Sequence, residues 1–559
     1  EIKTHLSGMV MLSGAFFEAS EKDSTSLIPL MFLVILLTIF LSTRTLSGTF
    51  VSLLVIVFSI MAGMGFAGLM GIKLTPPSGA APIIIMTLAV ADSIHILITM
   101  MQGLRKGLTK REAIVDSLRV NFMPVFITSL TTVIGFLSMN TAEVPPFRDL
   151  GNITAVGMTM AFILSVTLLP AVMSMLPVRA KVKDPESSRS HKFYNGLADF
   201  VIARRNATLA GSAFIIGILG YFAINIELND EFVKYFDNSI SFRNDTDFIN
   251  ENLTGIYNAE FSLGSGEPGG INNPEYLKNL ERFERWLEDQ PEIVHVNAYS
   301  EIARRVNRSM HGDDESYYKI PENREEAAQY LLLYELSLPF GLDLNNQINV
   351  DKSETRLTAT MVNMPTQQMI SFTKRAEQWL IDNTPEYMHA NGISPTMMFA
   401  YLSRTQVLSL ISGTLTALLI ISLILIAALR SFKFGLLSLI PNLTPAFAGF
   451  GLWALSGGQI NVGISIVFGM TLGIIVDDTI HFLSKYLRAI REHGYSPEDA
   501  VRYAFNTVGR ALLVTTIVLV AGFVILAQSS FGMNSGMAKV TSLVIVTALI
   551  IDFLLLPAL

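Results

Sequence analysis

The feature that most constrains this chain is a polar motif that occurs twice, each time after a long apolar run. Residues 92–95 read Asp-Ser-Ile-His, and residues 478–481 read Asp-Thr-Ile-His directly after a further acid, Asp477. An ionisable side chain at mid-bilayer costs roughly 3 kcal/mol or more, so it is rarely placed there without a function. The repeated motif therefore indicates a membrane protein in which buried Asp and His side chains exchange protons.

The composition agrees with a membrane protein and excludes several other classes. The 559 residues are 50% hydrophobic and only 16% charged, which is too apolar for a soluble enzyme of this size. The chain has no cysteine, which excludes disulfides and thiol chemistry. Neither a P-loop motif nor a zinc-protease motif occurs, so we expect no enzyme and no nucleic-acid partner. We expect no cofactor, with H⁺ as the coupling ion.

Apolar segments of spanning length predict eleven membrane helices. They lie at 27–42, 50–71, 79–101, 122–140, 152–177, 206–224, 406–429, 434–456, 461–485, 508–528 and 537–559. The predicted fold is a polytopic α-helical membrane protein with an α+β extracytoplasmic domain. In chain order, the domains are the tail of a first outer domain (1–26), a first bundle (27–177), a cytoplasmic linker (178–205), the first helix of a second half (206–224), a second outer domain (225–403) and a second bundle (404–559).

The distribution of charge predicts the orientation. The loops after the third, fifth, seventh and ninth spans are rich in Lys and Arg, and the intervening turns are nearly free of them. By the positive-inside rule, the basic loops face the cytoplasm. Residues 225–403 then lie on the other side, where 29 acids against 14 Lys and Arg form an acidic, solvated surface.

The two halves read as an internal repeat in the same direction. The Asp-x-x-His motif, the pairs Thr128-Ser129 and Thr515-Thr516, and the Leu-Leu-Pro-Ala segments 168–171 and 555–558 all recur 386 or 387 residues apart. Matching loop charges indicate parallel repeats about an axis along the membrane normal. The first half lacks one span and most of an outer domain, on the order of 200 residues. We therefore expect an internal piece of a longer protein, with eleven of twelve spans present.

The motif residues form a candidate proton relay. Residues three apart share a helix face, so Asp92 points the same way as His95, and Asp478 points the same way as His481. If the two helices pack across the pseudo-twofold axis, Asp92 and Asp478 approach each other. Asp477 lies about 100° further round the helix and would face a neighbouring helix. A static hydrogen-bonded network and Na⁺ coordination are the alternatives to proton transfer.

Other side chains are candidates for supporting this relay. Thr128, Ser129, Thr515 and Thr516 on the adjacent spans either face the acids or bond only to their own helix backbone. Asp552 in the last span is a further candidate, although Ser165 stands at the matching position of the first half. The central part of each predicted span holds no Lys or Arg, so no simple ion pair is available to the acids.

Two N-cap patterns predict short helices on the cytoplasmic face. Thr109 is followed by Glu112, and Ser496 is followed by Asp499 with a proline at the first helical position. We expect these helices to lie on the membrane surface between the third and fourth visible spans of each half.

The segment Gly473-Ile-Ile-Val-Asp477-Asp478-Thr-Ile-His481 resembles the Gly-x-x-x-Asp-Asp signature of the resistance–nodulation–division (RND) superfamily. The chain is most similar to its lipid and hydrophobe exporters, the MMPL and hopanoid transporters, which are related to Patched and the sterol-sensing proteins. The resemblance implies two RND-type repeats with an α+β porter domain, and it implies that Asp92, Asp477 and Asp478 couple protons. The first half departs from the signature at Leu88 and Ala91.

The resemblance also implies a function and a location. It implies a multi-pass protein of the bacterial inner membrane that uses the proton gradient to export lipids or other hydrophobic compounds through large periplasmic domains. A periplasmic lipid carrier or outer-membrane partner is compatible with this role, and a monomer, a dimer and a trimer all remain open. The alternatives are a sterol or lipid sensor and a protein-export accessory of the same fold.

Overall fold

The computed structural model describes residues 2–178, 189–339 and 341–559, and helices dominate it. Eleven helices among these residues are long and apolar enough to cross a membrane. The predicted number of spans and the class of polytopic helical membrane protein are therefore confirmed. The predicted linker 178–205 falls partly outside the described residues, and its described part contains a helix, Arg189–Ala203.

The part of the chain before the mixed helix-and-strand segment contributes nine α-helices to the described structure. In chain order they are α1 (Met9–Thr43), α2 (Leu46–Leu69), α3 (Pro76–Gly79), α4 (Ala81–Arg105), α5 (Lys110–Leu137), α6 (Pro145–Val166), α7 (Leu168–Met175), α8 (Arg189–Ala203) and α9 (Arg205–Ile224).

A mixed segment of helices and strands follows. Its elements are α10 (Ser241–Asn252), β1 (Tyr257–Gly264), α11 (Pro274–Glu288), β2 (Ile293–Asn297), α12 (Tyr299–Met310), α13 (Arg324–Ser337), β3 (Glu354–Met361) and α14 (Thr366–Asn383). The last helices are α15 (Pro395–Leu429), α16 (Phe432–Leu437), α17 (Leu439–Leu455), α18 (Val462–Ser465), α19 (Val467–His493), α20 (Pro497–Leu526) and α21 (Gly532–Leu554).

Helix boundaries recur at the spacing of the sequence motifs. Both α1 and α15 are 35 residues long, and α15 begins 386 residues after α1. The start of α19 likewise lies 386 residues after the start of α4, and the starts of α20 and α21 lie 387 residues after those of α5 and α6. The caps and apolar runs that set helix ends are thus placed alike in the two halves.

Two boundaries differ from the sequence prediction. Helix α1 begins at Met9, so most of the predicted outer tail 1–26 is helical and continuous with the first span. Thr109 and Ser496 do cap helices, but these helices are α5 and α20 themselves, so the prediction of separate surface helices was wrong. Pro497 occupies the first helical position, where proline is tolerated, and each helix continues directly from its cap into its span.

One unit of the structure is the helical bundle, formed by Ser13–Glu227, Lys234–Ile240 and Thr405–Leu559 in their described parts. Within it α4 packs against α2, α5 and α6, while α19 packs against α17, α20 and α21. The contacts between the halves also match each other: α19 packs on α5, and α4, the helix that matches α19 in the first half, packs on α20, the helix that matches α5. Helices α4 and α19 are almost wholly buried by these neighbours.

The other unit comprises the residues up to Leu12, Leu228–Val233 and Ser241–Arg404. Its three strands form an antiparallel sheet in the order β1-β3-β2. Alternate residues of β1 are buried, as expected for a strand with one face on a core. In that core the ring of Phe283 contacts Phe261 edge-on and stacks on Trp379, each at 5.3 Å between centroids.

Candidate functional site

A stripe of five residues on α19 organises the candidate site. Gly469, Gly473, Asp477, His481 and Lys485 follow each other at intervals of four, so each contacts the next along a ridge that winds round the helix by about 40° per step. We call these residues the α19 stripe. Its glycine end lies against α5, where a Cβ added at Gly473 would be 2.7 Å from the Cα of Thr132. The small residues thus allow the close approach that brings the polar end of the stripe among the other helices.

Asp92 and Asp477 line one small cavity in the bundle. Asp92 is contributed by α4 and Asp477 by α19, and Thr128 and Ser129 of α5 complete its polar wall. Ser129 Oγ donates a hydrogen bond of 3.0 Å to Asp92 Oδ2. The cavity volume of about 20 Å³ suffices for one water molecule. Two carboxyl groups from different halves therefore share one polar space.

The acid that shares this space with Asp92 is Asp477, and the expectation that Asp478 would do so is corrected. Asp92 and Asp478 match at the 386-residue offset, but the side of α19 that faces this cavity carries Asp477, a member of the stripe. Asp478 points to α20, where Thr516 Oγ1 lies 3.5 Å from Asp478 Oδ2. The structure therefore separates the two neighbouring acids into different surroundings.

His95 and His481 meet face to face at the centre of the bundle. Their rings are parallel within 2°, and the ring centroids are 3.7 Å apart. His481 Nε2 lies 3.4 Å from Asp477 Oδ1 without the alignment of a hydrogen bond. His95 Nε2 and both ring nitrogens of His481 have no hydrogen-bond partner among the described residues. The site thus offers several buried, unused nitrogens beside a carboxylate.

Among the residues that the structure describes, three of these side chains form a group that could hold a metal ion. One ligand atom each from His95, Asp477 and His481 can be chosen so that all lie within 4.8 Å of one another. Two imidazoles and a carboxylate form a common ligand set for zinc. The nitrogen lone pairs of stacked rings lie in two parallel planes, however, so one ring would have to turn before both could bind one ion.

A second polar group surrounds Asp552. Thr479 Oγ1 of α19 donates a hydrogen bond of 3.0 Å to Asp552 Oδ1, and Asp552 is fully buried in α21. In the first half the hydroxyl groups of Ser93 and Ser165 lie 3.4 Å apart at the equivalent positions. The same helix contact thus carries an acid in one half and a serine in the other.

The four hydroxyl residues predicted as support divide into two kinds. Ser129 and Thr516 contact Asp92 and Asp478, as described above. Thr515 Oγ1 bonds only to the preceding turn of its own helix. Thr128 Oγ1 donates to Val125 O at 3.0 Å, and its side chain also interacts with the carboxyl group of Asp477. Of these two, Thr128 still lines the acid cavity.

Sequence reasoning missed Lys485. It stands at the boundary between the predicted ninth span and the basic loop that follows, and the structure places it within α19, where it is only 2% exposed. Its Nζ donates to the carbonyl of Val120 in α5 at 3.2 Å. The prediction that the central part of each span holds no Lys or Arg is not affected, because Lys485 is the last residue of the predicted span 461–485. The four-residue spacing from His481 was the signal that could have identified Lys485.

Eleven helices of spanning length, with Asp and His side chains buried between them, define a multi-pass helical membrane protein. Such a protein with polar groups at the contact between two halves belongs to a class that includes transporters. The model of the MMPL family matches residues 1–207 and 367–559, so the chain belongs to the MMPL family. The resemblance to the hydrophobe-exporting branch of the RND superfamily is confirmed by this match.

Two individual relatives extend the comparison. The chain is 19% identical, over 594 aligned positions, to the mycolic acid-containing lipids exporter MmpL11 of Mycolicibacterium smegmatis, and the match covers 100% of this chain and 56% of MmpL11. It is 30% identical over 171 residues to MJ1562 of Methanocaldococcus jannaschii, named as a membrane protein, covering 31% of this chain and 43% of that one. The chain spans about half the length of these curated relatives.

Proposed function

We propose that this chain is the energy-converting part of an RND-type exporter of lipids or other hydrophobic compounds, driven by the proton gradient. In this proposal the two halves are parallel repeats of one bundle. The basic loops face the cytoplasm of a bacterial inner membrane, and the mixed helix-and-strand unit is a periplasmic porter domain. The observation that carries the proposal is the cavity that Asp92 and Asp477 line together.

The position of this cavity supports proton coupling. Two carboxylates in a buried polar space repel each other when both are charged, so binding a proton there relieves the repulsion. Asp92 belongs to one half, and Asp477 belongs to the other. Protonation consequently changes the energy of the contact between the halves, which is the contact that must rearrange in alternating access. Each proton moved supplies about 2.3 kcal/mol for every 100 mV of membrane potential.

The histidine stack continues the polar path from the cavity. His481 follows Asp477 by one helical turn, and its ring lies on that of His95. Histidine exchanges protons near neutral pH, which suits a relay between a carboxylate and one membrane face. Lys485 follows one turn later at the end that carries the basic loops. We propose that this line of groups is the route between the acids and the cytoplasm.

The substrate class is proposed from the comparisons and from the composition of the chain. The relative MmpL11 is named as an exporter of mycolic acid-containing lipids. Family membership and the apolar bundle agree with a hydrophobic substrate taken from the membrane.

Transport in proteoliposomes tests the proposal. The full-length protein would be reconstituted, and movement of a fluorescent lipid would be followed with and without an imposed pH gradient. The variants Asp92→Asn and Asp477→Asn should each lose gradient-driven movement by about a hundredfold or more, since an amide cannot carry the proton. Asp149→Asn is the matched control, because Asp149 belongs to α6 but does not line the cavity.

The outcomes separate the proposed function from its alternatives. Movement that follows the pH gradient in the wild type and stops in both cavity variants supports a proton-driven exporter. Lipid binding without movement in the wild type would instead support a sensor. Gradient-driven movement that survives the double variant Asp92→Asn and Asp477→Asn would contradict the role given to the cavity.

A further inference from the structure

A second cavity, separate from the acid pair, lies beside the middle of α5 and the C-terminal ends of α15 and α19. It has a volume of about 420 Å³ and lies between these three helices. Five cationic side chains line it, against a single carboxylate, Glu492. The cations are Arg119, Arg430, Lys485, Arg488 and Arg491. By the positive-inside rule this is the cytoplasmic end of the bundle.

Protein groups satisfy only part of this positive charge. Glu492 accepts from Arg488 Nε at 2.7 Å, and Arg491 donates to the carbonyl of Leu429 at 2.9 Å. The guanidinium groups of Arg119 and Arg430 make no hydrogen bond or close ion pair with another described residue, although Glu492 acts electrostatically on Arg119. Their guanidinium groups are therefore available for a planar, bidentate anion such as a phosphate.

The buried side chain of Lys485 distinguishes this cavity from a patch of surface charge. Its side chain is buried, yet its Nζ has one hydrogen bond, to Val120 O at 3.2 Å. An ammonium group has three donors, so two remain for an anion in the cavity. The position is specific to the second half, since Thr99 stands there in the first half and bonds to its own helix.

The remaining wall of the cavity is apolar and continues toward the lipid. Met123, Ile127 and Ile480 line it together with the charged groups. Met123 is 55% exposed on the outer face of α5, where hydrocarbon chains of the bilayer would contact it. A ligand that fits both walls has a negatively charged head and apolar chains.

We propose that this cavity binds the phosphate headgroup of an anionic phospholipid from the leaflet at the basic end of the bundle. Basic pockets between membrane helices on that side suit such headgroups. The lipid would be a bound ligand of the transporter, distinct from its exported substrate. Because Lys485 is the last residue of the α19 stripe, the headgroup would lie one helical turn from His481. Its negative charge would therefore act on the cytoplasmic end of the proposed proton route.

Binding of a fluorescent short-chain phosphatidylglycerol to the full-length protein in detergent tests this assignment. Wild type should bind it more tightly than the matched phosphatidylcholine. The double variant Arg119→Gln and Arg430→Gln should bind about thirtyfold more weakly. Both side chains are exposed, so their replacement should leave the fold intact. Lys106→Gln with Arg111→Gln is the control, because it removes two exposed charges at the same end outside the cavity.

Several results would overturn the assignment. Equal affinity for phosphatidylglycerol and phosphatidylcholine would remove the role of the headgroup charge. An equal loss in the control variant would reduce the effect to general surface charge. Inorganic phosphate that displaces the lipid at comparable concentration would identify a site for a free anion instead. The assay needs no pH gradient, so its result stands apart from the test of proton-driven export.

Discussion

Replacing Gly473 with alanine should destabilise the bundle, although alanine is the better helix former. A Cβ at this position would lie 2.7 Å from Thr132 Cα and 2.9 Å from Thr131 O. Both neighbours are backbone atoms of α5, so no side-chain rotation can remove the clash. Helices α5 and α19 would have to separate by several tenths of an ångström along their closest contact.

The expected loss follows from three contributions. Overpacking of this kind costs about 1–3 kcal/mol. Separation of the helices also weakens the hydrogen bond from Thr132 Oγ1 to Gly473 O, now 3.1 Å, which is worth about 1 kcal/mol. The better helix propensity of alanine offsets about 1 kcal/mol of this loss. The net destabilisation should therefore be about 1–3 kcal/mol, and proton-driven transport should fall because Asp477 is displaced with the stripe.

Unfolding of the purified protein in detergent, followed by far-UV circular dichroism, measures this effect. Gly65→Ala is the control, because no heavy atom lies within 4 Å of the Cβ it would add in α2. Its helix propensity should raise stability slightly, by up to about 1 kcal/mol. A Gly473→Ala protein as stable as the Gly65→Ala protein would refute the close approach of α5 and α19.

Two further predictions concern the mixed unit and the second polar group. Burial raises the pKa of Glu284 above its ordinary value, so stability from this group is present at low pH and lost as the pH rises through the raised pKa. As the pH falls from neutral toward 4.5, the unfolding free energy of the wild type should therefore rise relative to that of Glu284→Gln. Urea unfolding followed by tryptophan fluorescence measures both values. A difference between the two proteins that does not change with pH would contradict this prediction. Thr479→Val should cost about 1–3 kcal/mol, because it removes the donor to the buried carboxyl of Asp552, whereas Ser93→Ala should cost less than about 1 kcal/mol. Thermal unfolding in detergent compares the stability of the two variants. Equal losses of stability would contradict the larger cost expected for leaving the buried carboxyl group of Asp552 without its donor.

Hydropathy and capping residues predicted most of the bundle, and the errors in that prediction have identifiable causes. The spans were found because each contains a long uncharged run, which is what the bilayer requires. The start of α1 was missed because Glu18, Glu21, Lys22 and Asp23 lower the hydropathy of a segment that still forms a helix. Apolar content alone does not report where a membrane helix extends beyond the lipid.

The candidate site shows what sequence symmetry can and cannot predict. The repeat identified the motif residues, but it paired Asp92 with the equivalent Asp478. Which acid enters the shared cavity depends on the rotation of α19, and that rotation is determined by the packing of Gly469 and Gly473 on α5. The residue at the position equivalent to Asp477 is Ala91, so symmetry offered no signal for it.

The stacked histidines have a consequence for how many protons can pass at once. Two imidazolium rings at 3.7 Å would repel each other by about 4 kcal/mol at an effective dielectric constant of 20. Double protonation of the stack is therefore strongly disfavoured. In the proposed proton route, a second proton could enter the stack only after the first has left, so the contact between the two halves would pass charge one proton at a time.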